Sequence, residues 1–160
     1  MVTNNAVNSR NPVIQYVQTA ITTRVTCATQ MVIDNNIPQK TEGNEVITLA
    51  ITPTKSTNYL VIKFTGWGSL QAAAAVVALF QDDTSNAIAA TSPDGASGAG
   101  EEVHSYFLTH KMTAGTTSAT TFKIRVGPNA ATTLYVNGTS AGNLFGGVAS
   151  TTLEIWEIKA

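Results

Sequence analysis

Two histidines, one cysteine, two tryptophans and two adjacent acidic pairs are the side chains of this sequence that could carry chemistry. His104 and His110 lie six residues apart. In a strand both face the same side as Glu102, Tyr106 and Leu108, but six residues span about 20 Å, so one chain cannot bring both to one metal. A metal on a three-fold axis, with one histidine from each of three subunits, stays open; the plainer reading is an interface or a wet face. Glu101-Glu102 and Asp82-Asp83 do not make a glycosidase pair. That chemistry needs two carboxyls facing each other across about 5–10 Å, and neighbours in a strand point to opposite faces. They read as solvated turns, and the alternating acidic spacing of a calcium loop is missing. Cys27 is single, so it makes no internal disulfide, and no neighbour offers a base; it reads as a small apolar residue. There is no Gly-x-Ser-x-Gly, Walker or dinucleotide motif, and nothing helical follows the glycine-rich stretch 95–100. The expectation is no catalytic residue, no metal site, no cofactor and no enzyme. Trp67, between Gly66 and Gly68, is a candidate ligand contact for a sugar ring, though core or interface is commoner for such a residue.

Composition narrows the rest. The chain has 160 residues, 43% hydrophobic, 12% charged and a net charge of −1. The charged share is about half the usual one. Thr, Ser, Asn and Gly fill the polar remainder, which suits strands and tight turns. A near-neutral balance argues against a nucleic-acid partner, which needs a basic face. No stretch reaches the roughly 18 apolar residues of a membrane span, and no charged-then-apolar leader opens the sequence. Asn137-Gly138-Thr139 fits the glycosylation sequon, read as chance.

The elements that would position these residues are strands. Residues 1–12 are polar and rich in Asn, and read as an arm; 13–160 read as one domain. Alternation starts at Val13 with Ile14 and Tyr16 on one side, and continues through residues 24–33 to a turn at 34–38. Ile47, Leu49 and Ile51 keep a period of two until Pro53. Leu60, Ile62 and Phe64 repeat it, and Gly66-Trp67-Gly68 reads as an interruption or bulge. The alanine run at 72–78 has helix propensity but leads straight into Leu79-Phe80 and a turn, so a strand apolar on both faces is favoured. Further strands fall at 87–91, 103–112, 122–126, 132–137 and around Leu153 and Ile155, with a loop at 93–100. About ten strands and no convincing helix predict an all-β antiparallel sandwich or jelly roll.

Strands apolar on both faces need a partner, because a lone sandwich buries one face of each sheet. A homotrimer is expected, with Ala74, Val76, Ala78, Phe80, Trp156 and Ile158 as candidate interface residues.

Several segments also resemble a known module. They are 17–19, 36–45 with Thr41-Glu42-Gly43, 49–54, 78–82, 110–118, 122–127 and Leu144-Phe145-Gly146-Gly147. Together, over most of 13–160, the chain resembles a module of tailed-bacteriophage virion proteins, of the tail-fibre, head-fibre or decoration type. The resemblance implies a trimeric jelly roll similar to tumour-necrosis-factor and C1q heads, a virion location, capsid or tail partners, and contact with host surface polysaccharide. It places Asn4, Asn5, Asn8 and Arg10 of the arm in virion attachment. The start only a dozen residues upstream favours a small decoration or fibre protein or short tail appendage. A free-standing carbohydrate-binding module is the alternative.

Overall fold

In the computed structural model, residues 12–93, 95–96, 98 and 100–160 are described. The long strands are β1 (Val13–Ile21), β3 (Asn44–Ile51), β4 (Tyr59–Leu70), β5 (Ala75–Gln81), β7 (Glu102–Thr113), β8 (Thr120–Pro128) and β12 (Thr151–Ile158). Shorter pieces are β2 (Val25–Cys27), β6 (Ala89–Thr91), β9 (Leu134–Val136), β10 (Gly138–Thr139) and β11 (Gly142–Asn143). One 3₁₀ turn, Phe145–Gly147, is the sole helical element among the described residues.

The strands form two antiparallel sheets. The front sheet runs β1-β12-β4-β7, and the back sheet β3-β8-β5-β6. Counting the seven long strands and β6 in chain order, the front sheet takes the first, eighth, third and sixth, and the back sheet the second, seventh, fourth and fifth. That is jelly-roll connectivity, the all-β antiparallel class that composition and periodicity predict. β12 covers β4 from Tyr59 to Thr65, and β9 takes over beside Gly68 and Ser69, with β2 beyond it.

Period-two patterning explains the core. Leu60, Ile62 and Phe64 of β4, Tyr106 and Leu108 of β7, and Leu153 and Ile155 of β12 meet Ile47, Ile51, Phe122, Ile124, Val126, Val77 and Leu79 from the back sheet. These residues are at most 5% exposed, so the interior is closed to water.

The structure differs from three local expectations. Residues 24–33 yield only the three-residue β2, because Thr29 and Met31 tie to Asn44 and Pro128 instead of continuing a ladder. β4 does not break at Gly66-Trp67-Gly68; it pairs with β7 straight through, and the glycines admit close neighbours. Nor does the outer side of β5 await a partner. Val76, Ala78 and Phe80 are at most 4% exposed and pack under the chain's own Met31 and Ala87, while half-buried Ala74 donates its N–H to Asn129 Oδ1. β5 is apolar on both sides as expected, but Met31 and Ala87 supply the cover.

Candidate functional site

With the back sheet covered in this way, the front sheet presents the open apolar surface. Its strands turn Tyr16, Trp156, Val61 and Lys111 outward as one row across β1, β12, β4 and β7. The next row holds Ile158, Tyr59 and Thr113, with Ile14 beside it on β1. Tyr16 is 46% exposed and Ile14 43%, while Trp156 is half-buried. The Tyr16 and Trp156 rings lie 5.1 Å apart at 42°, in the tilted arrangement aromatic pairs prefer. Tyr16 Oη donates to Gln18 Oε1 at 2.8 Å, and desolvation followed by the Glu154 charge raises its pKa. Lys111 Nζ sits 4.0 Å from the Tyr59 ring centre, a cation–π contact at the far side of the row.

A polar row separates this patch from a second one. Gln18, Glu154, Lys63 and Thr109 align across the sheet. Beyond them stand Phe107 and Val103 on β7, 60% and 53% exposed, and Trp67 on β4. Trp67 thus lies on a strand, not at a loop tip. Its ring packs 5.6 Å from Phe145, and its buried Nε1 has no hydrogen-bond partner among the described residues. Phe145 itself adopts φ +54°, costly for an aromatic residue, and is largely exposed.

The other candidate residues fall elsewhere. His104 and His110 share the inward side of β7 with Glu102, Tyr106 and Leu108. His104 Nε2 lies 3.7 Å from Glu102 Oε2, and Glu102 also accepts the Gly98 N–H. Among the described residues, no three His, Cys, Asp or Glu side chains converge as a metal site would require. Cys27 is fully buried, and desolvation pushes its thiol up to about 12 despite the nearby Arg125 charge. Asp82 is bound to Thr120 and Thr121, and Asp83 pairs with Lys123 at 3.6 Å. Asn137 cannot serve as a glycan acceptor. It is 1% exposed, and its side-chain N–H groups are spent on the Ile21 and Thr23 carbonyls. Asn4, Asn5, Asn8 and Arg10 lie outside the described residues.

Two features escaped sequence reading. Glu101 lines a polar cleft of about 270 Å³ with Gln71, Thr132, Thr133, Tyr135 and Ser140. Burial raises its pKa, but hydrogen bonds from Ser69 and Ser140 and the Arg24 charge outweigh that and leave it lowered. Glu157 is a fully buried carboxylate that accepts from Asn58 Nδ2 at 2.6 Å, Thr54 Oγ1 at 2.7 Å, the Thr54 N–H and Gln15 Nε2. A signal for it was present: residue 157 continues the inward series Leu153, Ile155.

Comparison with known proteins overturns the bacteriophage resemblance. A family model described as the Pgp3 C-terminal domain, a family of Chlamydia virulence proteins, matches residues 15–160. The virion, capsid-decoration, tail-fibre and host-adhesion expectations fall with it, as do the virion location, the glycan partner and the alternative of a free-standing carbohydrate-binding module. The physical reason lies in the segments that suggested them. Gly43, Gly115, Gly146 and Gly147 all sit at positive φ. Such glycines mark sharp turns between strands, and any jelly roll uses them. A search of curated protein sequences gives no match. Among solved structures, infectious bursal disease virus of the Gx strain is 14% identical with a TM-score of 0.32, covering 100% of this chain and 41% of that one. The VP2 subviral particle of the same virus is 11% identical with a TM-score of 0.32, covering 92% and 38%. The chain thus spans about two fifths of these capsid chains, and likenesses this distant carry no argument about assembly.

Proposed function

The chain belongs to the Pgp3 C-terminal domain family, and on that premise we propose that it serves a virulence protein as a non-enzymatic association domain that assembles as a homotrimer. One observation carries this reading: the front sheet turns Ile14, Tyr16, Trp156, Val61, Tyr59 and Ile158 outward although its other face already fills the core. A contiguous aromatic and aliphatic patch on a sheet face is the usual mark of a protein–protein contact.

The kinds of surface available support the three-fold reading. The patch on β1, β12 and β4 differs from the β7 margin, where Phe107 and Val103 project. A contact between two different patches is heterologous. It cannot close with two copies, and three make the smallest ring. On this reading Trp156 and Ile158 belong to the interface, and Val76, Ala78 and Phe80, which pack under the chain's own Met31 and Ala87, do not. The absence of catalysis is part of the same proposal, since Cys27 is sealed in the core with its thiol held protonated.

Light scattering on the chain at micromolar concentration should give the mass of three copies. A stable monomer would refute the association reading, and a dimer would refute the three-fold one.

A further inference from the structure

We propose that the edge of β6, together with the slot beside it, is a strand-addition site for an extended peptide of a partner protein. The peptide would place an aliphatic residue in the slot and a lysine or arginine two residues from it, on the same face of the strand.

The hydrogen-bond phase of the back sheet shows which groups are open. Asp82 N–H donates to the Thr121 carbonyl at 2.8 Å, continuing the β5–β8 register. In an antiparallel ladder, backbone groups turn to alternate sides residue by residue. Phe80, Ala78 and Val76 therefore spend their groups on β8, while Leu79 and Val77 spend theirs on β6. Their partners there are Ala89 and Thr91. Ala90, opposite Ala78, must point its N–H and C=O away from β5, and no described residue takes them.

The chain has already begun to pair along this edge. Ala87 N–H donates to the Pro38 carbonyl at 2.9 Å, Lys40 N–H to the Ser85 carbonyl at 2.8 Å, and Gln39 bridges Asn86. Before Pro38 the segment 31–38, a strap beside β6, makes no such pairing among the described residues. A gap of about 210 Å³ opens between it and β6, lined by Val32, Ile33, Pro38, Val76 and Ala90 with Asp34 at hand. A guest strand in line with residues 38–40 would exchange both backbone bonds with Ala90. Directly opposed residues share a face. Ala90 lies on the Ala78 side of the sheet, so the guest residue opposite it would drop its side chain into this slot. Val32, Ile33 and Ile37 are 45%, 53% and 54% exposed around the same strap, more aliphatic surface than a finished loop needs to show. Asp34 is the charged residue of the lining, which sets the preference for a cation two residues along the guest strand, on the same face.

Backbone pairing supplies affinity in this mode of recognition, and side-chain pockets supply selectivity. The test uses blocked pentapeptides Lys-Thr-X-Thr-Lys titrated into the isotope-labelled full chain and followed by amide NMR. With X as Leu, Ile or Val, resonances of Ala90 and its neighbours should move, and binding should be at least tenfold tighter than with X as Gly or Asp. N-methylation at X removes one backbone bond and should abolish the effect. Ile33→Ser, which removes the aliphatic wall without adding charge at an exposed position, should weaken binding at least tenfold. Ala90→Pro, tolerable on an edge strand, should do the same. The proposal fails if millimolar peptide leaves Ala90 unmoved, if Gly binds as well as Leu, or if the N-methyl peptide binds like its parent.

Discussion

Glu157 shows how one carboxylate can pin a sandwich together. It sits on β12, takes Gln15 from β1, and gathers the Thr54, Lys55 and Asn58 donors of the β3–β4 connection. Burial alone would raise its pKa, but the bonds from Asn58, Thr54 and Gln15 more than offset this and hold it at about 2, against 4.5 when unperturbed. The folded-state value is depressed, so the linked stability is fully present above about pH 4.5 and is lost as pH falls toward 2. Thermal melts between pH 6 and 2 should show that loss. Glu157→Gln keeps the shape but not the charge and should cost about 2–3 kcal/mol at neutral pH, since charge-assisted bonds are worth roughly that much. The variant should also lose less stability on acidification. A variant with the acid sensitivity of the natural chain would show that other carboxylates govern it. Only part of this was legible beforehand: the inward register of residue 157 can be read from the series 153, 155, 157, whereas its partners at 15 and 54–58 are distant in sequence.

At the scale of elements, periodicity located most strands because each has one face in the core. It misjudged those whose ends are set by neighbours. β4 is the clearest case, since Gly66 and Gly68 read as a break. The reason for glycine is packing. A Cβ on Gly68 would lie 2.2 Å from the Tyr135 carbonyl oxygen and 3.0 Å from the Tyr106 ring. One of those contacts is backbone in the paired strand β9 and cannot swing aside. Gly68→Ala should therefore cost about 3 kcal/mol, the upper range of overpacking, or roughly 6–12 °C in melting temperature for a chain of this size. Gly100→Ala is the control, because nothing lies within 4 Å of its Cβ. Equal melting of the two variants would mean that β9 yields easily and that the close approach is not structural. The strap over β5 was illegible for a related reason. Two-sided burial of residues 75–80 can be read from sequence, but whether Met31 or another subunit provides the cover depends on tertiary structure.

At the scale of the whole molecule, the proposed association can join like surfaces or unlike ones. Trp156 lies on the face patch and Phe107 at the β7 margin, on opposite sides of the polar row. In a heterologous ring, Trp156→Lys spoils a copy's face but spares its margin, and Phe107→Lys does the reverse. Each variant alone should fall to monomer, because a lysine buried at an apolar contact without a partner is strongly disfavoured. Mixed in equal amounts, they should form a one-to-one pair, held by the intact face of the Phe107→Lys copy and the intact margin of the Trp156→Lys copy. The pair cannot grow, since its remaining face and margin are both spoiled. An interface built face to face by two-fold symmetry predicts otherwise: Phe107→Lys alone would still dimerise, and mixing would rescue nothing. Sedimentation of the two variants separately and together distinguishes these outcomes. Circular dichroism on each variant keeps the test clean, because both side chains point away from the core and their replacement should leave the sandwich folded.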